Sequence, residues 1–129
     1  MARTRPLTPH ALELRRLTTS LLTSRGINVD AILAAAARRF NISVCALRSE
    51  RRHKRPSQAR WVAMLALNLR GCSTVAIGYL FNRDHSTVSH GLACAAADPA
   101  LATAAQACGW TWNELATGRA VPLRRRKVG

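Results

Sequence analysis

Carboxylates are scarce in this chain. Six Asp and Glu stand against twenty Lys and Arg, for a formal charge of +14 over 129 residues. The acidic residues are too few and too scattered to suggest a carboxylate pair for acid–base catalysis. No serine or cysteine sits in a nucleophile motif, so no catalytic residue is assigned and no enzyme activity is expected. Long apolar runs are also lacking. None approaches the roughly 18 residues that would span a bilayer. Two arginines precede Pro6 but no apolar core follows them, which excludes a signal peptide. The phosphate-cradling Gly-x-x-x-x-Gly-Lys-Ser/Thr loop is missing, and 129 residues leave no room for an ATPase module.

The four cysteines, Cys45, Cys72, Cys94 and Cys108, are widely spaced and form no Cys-x-x-Cys pair. They read as reduced, mostly buried small apolar residues of a cytoplasmic protein. His90 and Cys94 share one helical face while His85 is skewed from it, and no second pair completes a tetrahedron. No metal site and no other cofactor is expected. What is abundant is positive charge. A compact domain with this excess repels itself, and a polyanion relieves the repulsion. Nucleic acid is the first candidate partner and an anionic membrane surface the second. With no spanning segment, a membrane is not retained as a partner.

Helix punctuation is dense and no strand pattern stands out. Thr8-Pro9 reads as an N-cap followed by proline in the first turn, with Gly26 as the stop. Leu14, Leu17 and Leu21 would form the apolar stripe of this first helix. A second helix starts near residues 28–30 and runs to Phe40, with Asn41 at a left-handed C-cap position. Ser43 to Leu47 suits a single helical turn. The run Arg48 to Arg55 is too charged to pack, and Pro56 is expected to end it. A further helix should then run from about Ser57 to Arg70, burying Val62, Leu65, Ala66 and Leu69. Ser73 caps a short helix and Asn82-Arg83 makes a tight turn. Asp84 caps a longer helix to about Ala97. Asp98-Pro99 begins another that Gly109 ends, and Thr111 to Glu114 fits a capping box. The tail carries Arg124-Arg125-Arg126-Lys127 and suits disorder. The three tryptophans, Trp61, Trp110 and Trp112, suit packing better than base stacking.

The informative stretch is Ser73 to His90. A short helix, a turn and a longer helix with a polar front is the outline of a helix-turn-helix, whose second helix offers its first residues to the major groove. Here those are Asp84, His85, Ser86 and Thr87, with Arg83 just ahead. A carboxylate accepts from cytosine N4, and a threonine methyl packs on the methyl of thymine. Asp, Ser and Thr are also what any helix start prefers. The residues alone therefore leave groove reading and plain capping both open.

The run from Ala76 to His90, with Ile77-Gly78, Phe81 and then Arg83-Asp84-His85-Ser86-Thr87-Val88, closely resembles the signature of the C-terminal domain of the bacterial replication initiator DnaA. The likeness continues upstream through Val29 to Val44, through Arg51-Arg52, and through Ala63-Met64. It implies an all-α, Trp-repressor-like helix-turn-helix fold, extended here by extra N- and C-terminal helices. It divides the chain into an N-terminal basic arm and helix (1–26), the initiator-like domain (27–97), a helical extension (98–118) and a basic tail (119–129). It also implies that Arg83, Asp84, His85, Ser86 and Thr87 read bases. Arg51, Arg52, Lys54, Arg55, Arg60, Ser73 and His90 would then hold the backbone or enter the minor groove. For the groove-entering arginine, Arg55 is the first choice and Arg60 the second. The family usually has Arg-Pro-Arg-Gln closely before Ala-Met, whereas this chain has Arg55-Pro56-Ser57-Gln58 set further away. The Phe81-to-Arg83 turn is also one residue shorter than usual, which would re-aim the reading helix.

The expectation is a sequence-specific binder of double-stranded DNA, bacterial or phage-borne, that recognises initiator-box-like sites and regulates replication initiation or transcription. A monomer is favoured, with a replication or transcription protein as a further partner. An alternative is an interaction module that docks on the initiator, a helicase or a polymerase, with DNA contact secondary. A third reading is an accessory that brings a nuclease or transposase to DNA.

Overall fold

Most of the described helices begin where a side chain accepts a backbone N–H that the helix itself leaves unpaired; α4, after His53, is the exception. Residues 8–48 and 53–108 are described in the computed structural model. Among them are seven helices and no strand: α1 (Pro9–Ser24), α2 (Val29–Arg39), α3 (Val44–Arg48), α4 (Lys54–Leu69), α5 (Thr74–Phe81), α6 (His85–Ala97) and α7 (Pro99–Cys108). Thr8 Oγ1 accepts from Ala11 N–H at 3.1 Å, and Asn28 Oδ1 accepts from Ala31 N–H at 3.0 Å. Ser73 Oγ does the same for Ala76 N–H, and Asp98 Oδ1 for Ala100 N–H. Such a cap contributes about 1 kcal/mol. Asn41, after α2, adopts the left-handed conformation at φ 56°, as its position predicts.

The core is organised around α4, which is buried on nearly every side. Ala59, Val62, Ala63, Met64, Leu65, Ala66 and Leu67 are all buried, whereas Leu69 is only half-buried. A helix that is apolar all round belongs at a domain centre, and α2, α3, α5, α6 and α7 pack around this one. Val29, Ile32, Leu33, Leu47, Ile77, Leu80, Phe81 and Val88 complete the largest buried side chains. Each stabilises the fold by about 1.5–3 kcal/mol through burial. Leu101, Ala104, Ala105 and Cys108 of α7 join the same cluster, so this helix shares one core with the rest.

Two expectations are corrected here. Pro56 does not stop a charged segment; it lies in the first turn of α4, which starts at Lys54 rather than Ser57. The N–H groups of a first helical turn have no intrahelical acceptor, so proline there forfeits no bond. On α1 the expected stripe is also rotated. Leu17 and Leu21 are 58% and 55% exposed, whereas Leu22 is buried and Ala11, Leu14 and Thr18 are half-buried. The reason is that α1 rests mainly along α5, a narrow contact that needs one strip of the helix and leaves its remaining leucines outside. Among the described residues, no helix is long and apolar enough to cross a membrane.

Candidate nucleic-acid interface

The turn between α5 and α6 is built from two conformational requirements. Asn82 takes the left-handed conformation (φ 55°, ψ 50°), which a short polar side chain tolerates better than a branched one. Gly78 is needed for a different reason. The chain folds back so closely that a Cβ on Gly78 would stand 2.5 Å from the Arg83 carbonyl oxygen. Arg83 N–H donates to the Gly78 carbonyl at 2.9 Å, which closes the turn. The Arg83 side chain contributes too, since Nη1 donates to the Phe81 carbonyl at 2.7 Å near the end of α5. Arg83 is therefore a brace of the turn as well as a cation at the start of α6.

Asp84 then caps α6, with Oδ1 accepting from Thr87 N–H at 2.9 Å. One carboxylate oxygen is thus committed to the helix itself. His85, Ser86 and Thr87 form the exposed first turn, while Val88 behind them is fully buried. α6 approaches α4 closely at Gly91, where a Cβ would meet Trp61 Cδ1 at 2.8 Å and Met64 Sδ at 2.9 Å. This contact anchors the far side of the helix, so its polar N-terminal turn is held outward on a fixed support.

The backbone-contact candidates separate into distinct environments. Lys54 and Arg55 are exposed in the first turn of α4. Arg51 and Arg52 lie outside the described residues, as do Trp110, Trp112, the 111–114 capping box and the basic tail. Ser73 is exposed, with its hydroxyl engaged as the α5 cap. His90 is exposed but turned along α6. Its Nε2 is 3.4 Å from Cys94 Sγ, and its ring meets Trp61 edge-on at 6.1 Å between centroids.

Arg60 is the clear correction. The sequence suggested a DNA contact, whereas the residue is only 7% exposed. Nη1 donates to the Leu47 carbonyl at 3.0 Å and Nη2 to Ser57 Oγ at 3.3 Å. A buried guanidinium spending its donors on the end of α3 cannot reach a duplex without breaking the α3–α4 junction.

One wall of the site was invisible in the sequence. A groove of about 530 Å³ runs between the first turns of α1 and the α5–α6 turn. Thr8, His10 and Leu14 line one side, and Tyr79, Asn82 and His85 line the other. No local pattern announces this pairing, because it joins segments more than sixty residues apart.

Comparison with known proteins agrees with this arrangement. The family model described as the bacterial dnaA protein helix-turn-helix matches residues 29–93, from the start of α2 through most of α6. The chromosomal replication initiator protein DnaA of Treponema denticola is 38% identical over 85 residues, a stretch covering 60% of this chain and 18% of that protein. The chain thus corresponds to a small part of its relative's length, and α1 and α7 fall outside the family match. With half of its residues matched, including the capped and braced α5–α6 unit, this chain belongs to the bacterial DnaA helix-turn-helix family.

Proposed function

We propose that this protein binds initiator-box-like sites in double-stranded DNA, with the first turn of α6 in the major groove. The observation that carries this reading is the exposure of His85, Ser86 and Thr87 directly after a capped, rigidly braced turn. Side chains at that place can meet base edges while the helix N-terminus approaches the duplex. Lys54 and Arg55 supply the sequence-independent backbone contacts, with Arg51 and Arg52 beside them in sequence. The protein acts without catalysis, nucleotide or metal, and regulates replication initiation or transcription by occupying such sites.

Anisotropy titrations with an initiator-box duplex and a scrambled duplex test this. His85→Ala and Thr87→Ala should each cost about 1–3 kcal/mol on the box and much less on the scrambled sequence. Equal losses on both duplexes, or no loss, would mean that α6 does not read bases. A second reading, docking on a replication protein, draws on the exposed Leu17 and Leu21 of α1. It becomes the better account if the wild-type protein fails to discriminate between the duplexes.

A further inference from the structure

The groove beside the α5–α6 turn is walled by two helices of different standing. α5 lies within the family match, whereas α1 lies outside it. Thr8 and His10 come from the N-cap and first turn of α1, and both are exposed. Tyr79, 41% exposed, and Asn82 supply the other wall from α5 and its C-cap. Asp84 and His85 carry that wall on to the start of α6. His85 thus belongs both to this groove and to the exposed first turn of α6.

A DNA major groove is about 12 Å wide, so a helix inserted in it has a phosphate strand close by on either side. A protein surface that borders the first turn of such a helix meets sugar–phosphate backbone. The groove suits that strand. Its volume of about 530 Å³ lies in the range of clefts that accept organic groups. Thr, Asn and Tyr side chains commonly contact phosphate oxygens. Thr8 Oγ1 accepts from Ala11 N–H and keeps its own proton to donate. The Tyr79 hydroxyl forms no hydrogen bond among the described residues. Asp84 is the one carboxylate in the lining; Thr87 N–H occupies one of its oxygens, and Arg83 stands in the same wall. The charge of +14 draws a polyanion, and the shared His85 favours the duplex backbone over an acidic peptide. We propose that this groove seats the sugar–phosphate backbone flanking the bases met by α6, with Tyr79 and His10 donating to one of its phosphates. α1 thereby widens the DNA footprint beyond the helix-turn-helix unit that the family shares. This rests on the DNA-binding reading above.

The test is a set of anisotropy titrations of the full chain with box and scrambled duplexes. The box duplex is also prepared with single neutral methylphosphonates in place of each backbone phosphate in turn. Tyr79→Phe keeps the ring and removes only the hydroxyl. It should bind both duplexes about two- to tenfold more weakly, the range for one net hydrogen bond. Its log–log salt slope should be unchanged, since no cation is lost. Its melting temperature should match that of wild type. His10→Ala should show a loss of the same size on both duplexes. At one methylphosphonate position wild type should lose affinity while Tyr79→Phe loses no more. Wild-type affinity in both variants overturns the backbone site. So does a Tyr79→Phe loss that adds in full to the loss at every methylphosphonate, or one that comes with a lower melting temperature. A gain in affinity would mean that α1 obstructs the duplex, and overturns it too. Discrimination between the duplexes by wild type is judged separately. If it persists while both variants bind as wild type, only the groove assignment is wrong; if it is absent, base reading by α6 fails whatever the variants do.

Discussion

Two arginines show how burial divides one residue type into two jobs. Arg60 is buried and donates to the Leu47 carbonyl and to Ser57, whereas Arg55 is exposed one turn earlier on the same helix. Arg60→Ala removes a charge-assisted bond and leaves a buried carbonyl unsatisfied, which costs about 1–3 kcal/mol. Arg55→Ala removes no bond of that kind. We therefore expect Arg60→Ala to lower the denaturant midpoint and leave the salt slope of DNA binding unchanged. Arg55→Ala should do the reverse, with a slope change of about 0.9. Urea unfolding and salt titrations on both variants check this, and a reduced slope for a folded Arg60→Ala would return that residue to the interface.

The α5–α6 unit depends on how tightly its turn closes. Gly78 faces the Arg83 carbonyl at a distance that admits no Cβ, and the obstacle is backbone, which cannot swing aside. Gly78→Ala must therefore push the turn outward, at about 1–3 kcal/mol, the scale of overpacking a well-fitted site. The displacement also tilts α6, because Arg83 N–H is bonded to Gly78 itself. The variant should melt several degrees lower and lose discrimination between box and scrambled duplexes more than total affinity. Wild-type melting and discrimination in Gly78→Ala would show that the turn tolerates a looser path.

Across the whole molecule, the cysteines report on packing. Cys72 and Cys108 are buried, and burial pushes both thiols above their ordinary pKa while nearby arginines pull weakly the other way. Cys45 is exposed and Cys94 is half-buried. A thiol reagent should modify Cys45 first and Cys94 next, with Cys72 and Cys108 reacting only as the fold opens. The shift also sets a pH dependence. A thiol whose folded pKa is raised favours the protonated form, so its contribution is complete below the unfolded value of about 8.5. It is lost as pH rises through the higher folded value. Thermal unfolding from pH 7 to 10.5 should thus show stability falling at the alkaline end, and a smaller fall in Cys72→Ala/Cys108→Ala. Identical alkaline profiles would show that neither thiol is shifted by folding.

Much of this protein was written locally. Thr8, Asn28, Ser73, Asp84 and Asp98 start helices because a short polar side chain reaches an N–H two or three residues ahead, which needs no distant partner. The same short range made Asn41, the α5–α6 turn and the exposed first turn of α6 legible, and the run through Arg83 to Val88 carried the family. Other features had no local signature. Which strip of α1 turns inward was set by α5, so a periodic run of leucines left Leu17 and Leu21 outside. Pro56 looked like a stop because proline breaks helix interiors, but where α4 begins was decided by its packing. Arg60 read as one more surface cation because its partner, the Leu47 carbonyl, lies thirteen residues away. The sequence determined where most of the helices start and which side chains lead α6, since those depend on neighbours along the chain. Only the tertiary structure decided which arginines face solvent and that α1 borders the α5–α6 turn, since burial and the meeting of distant segments exist only once the helices have packed.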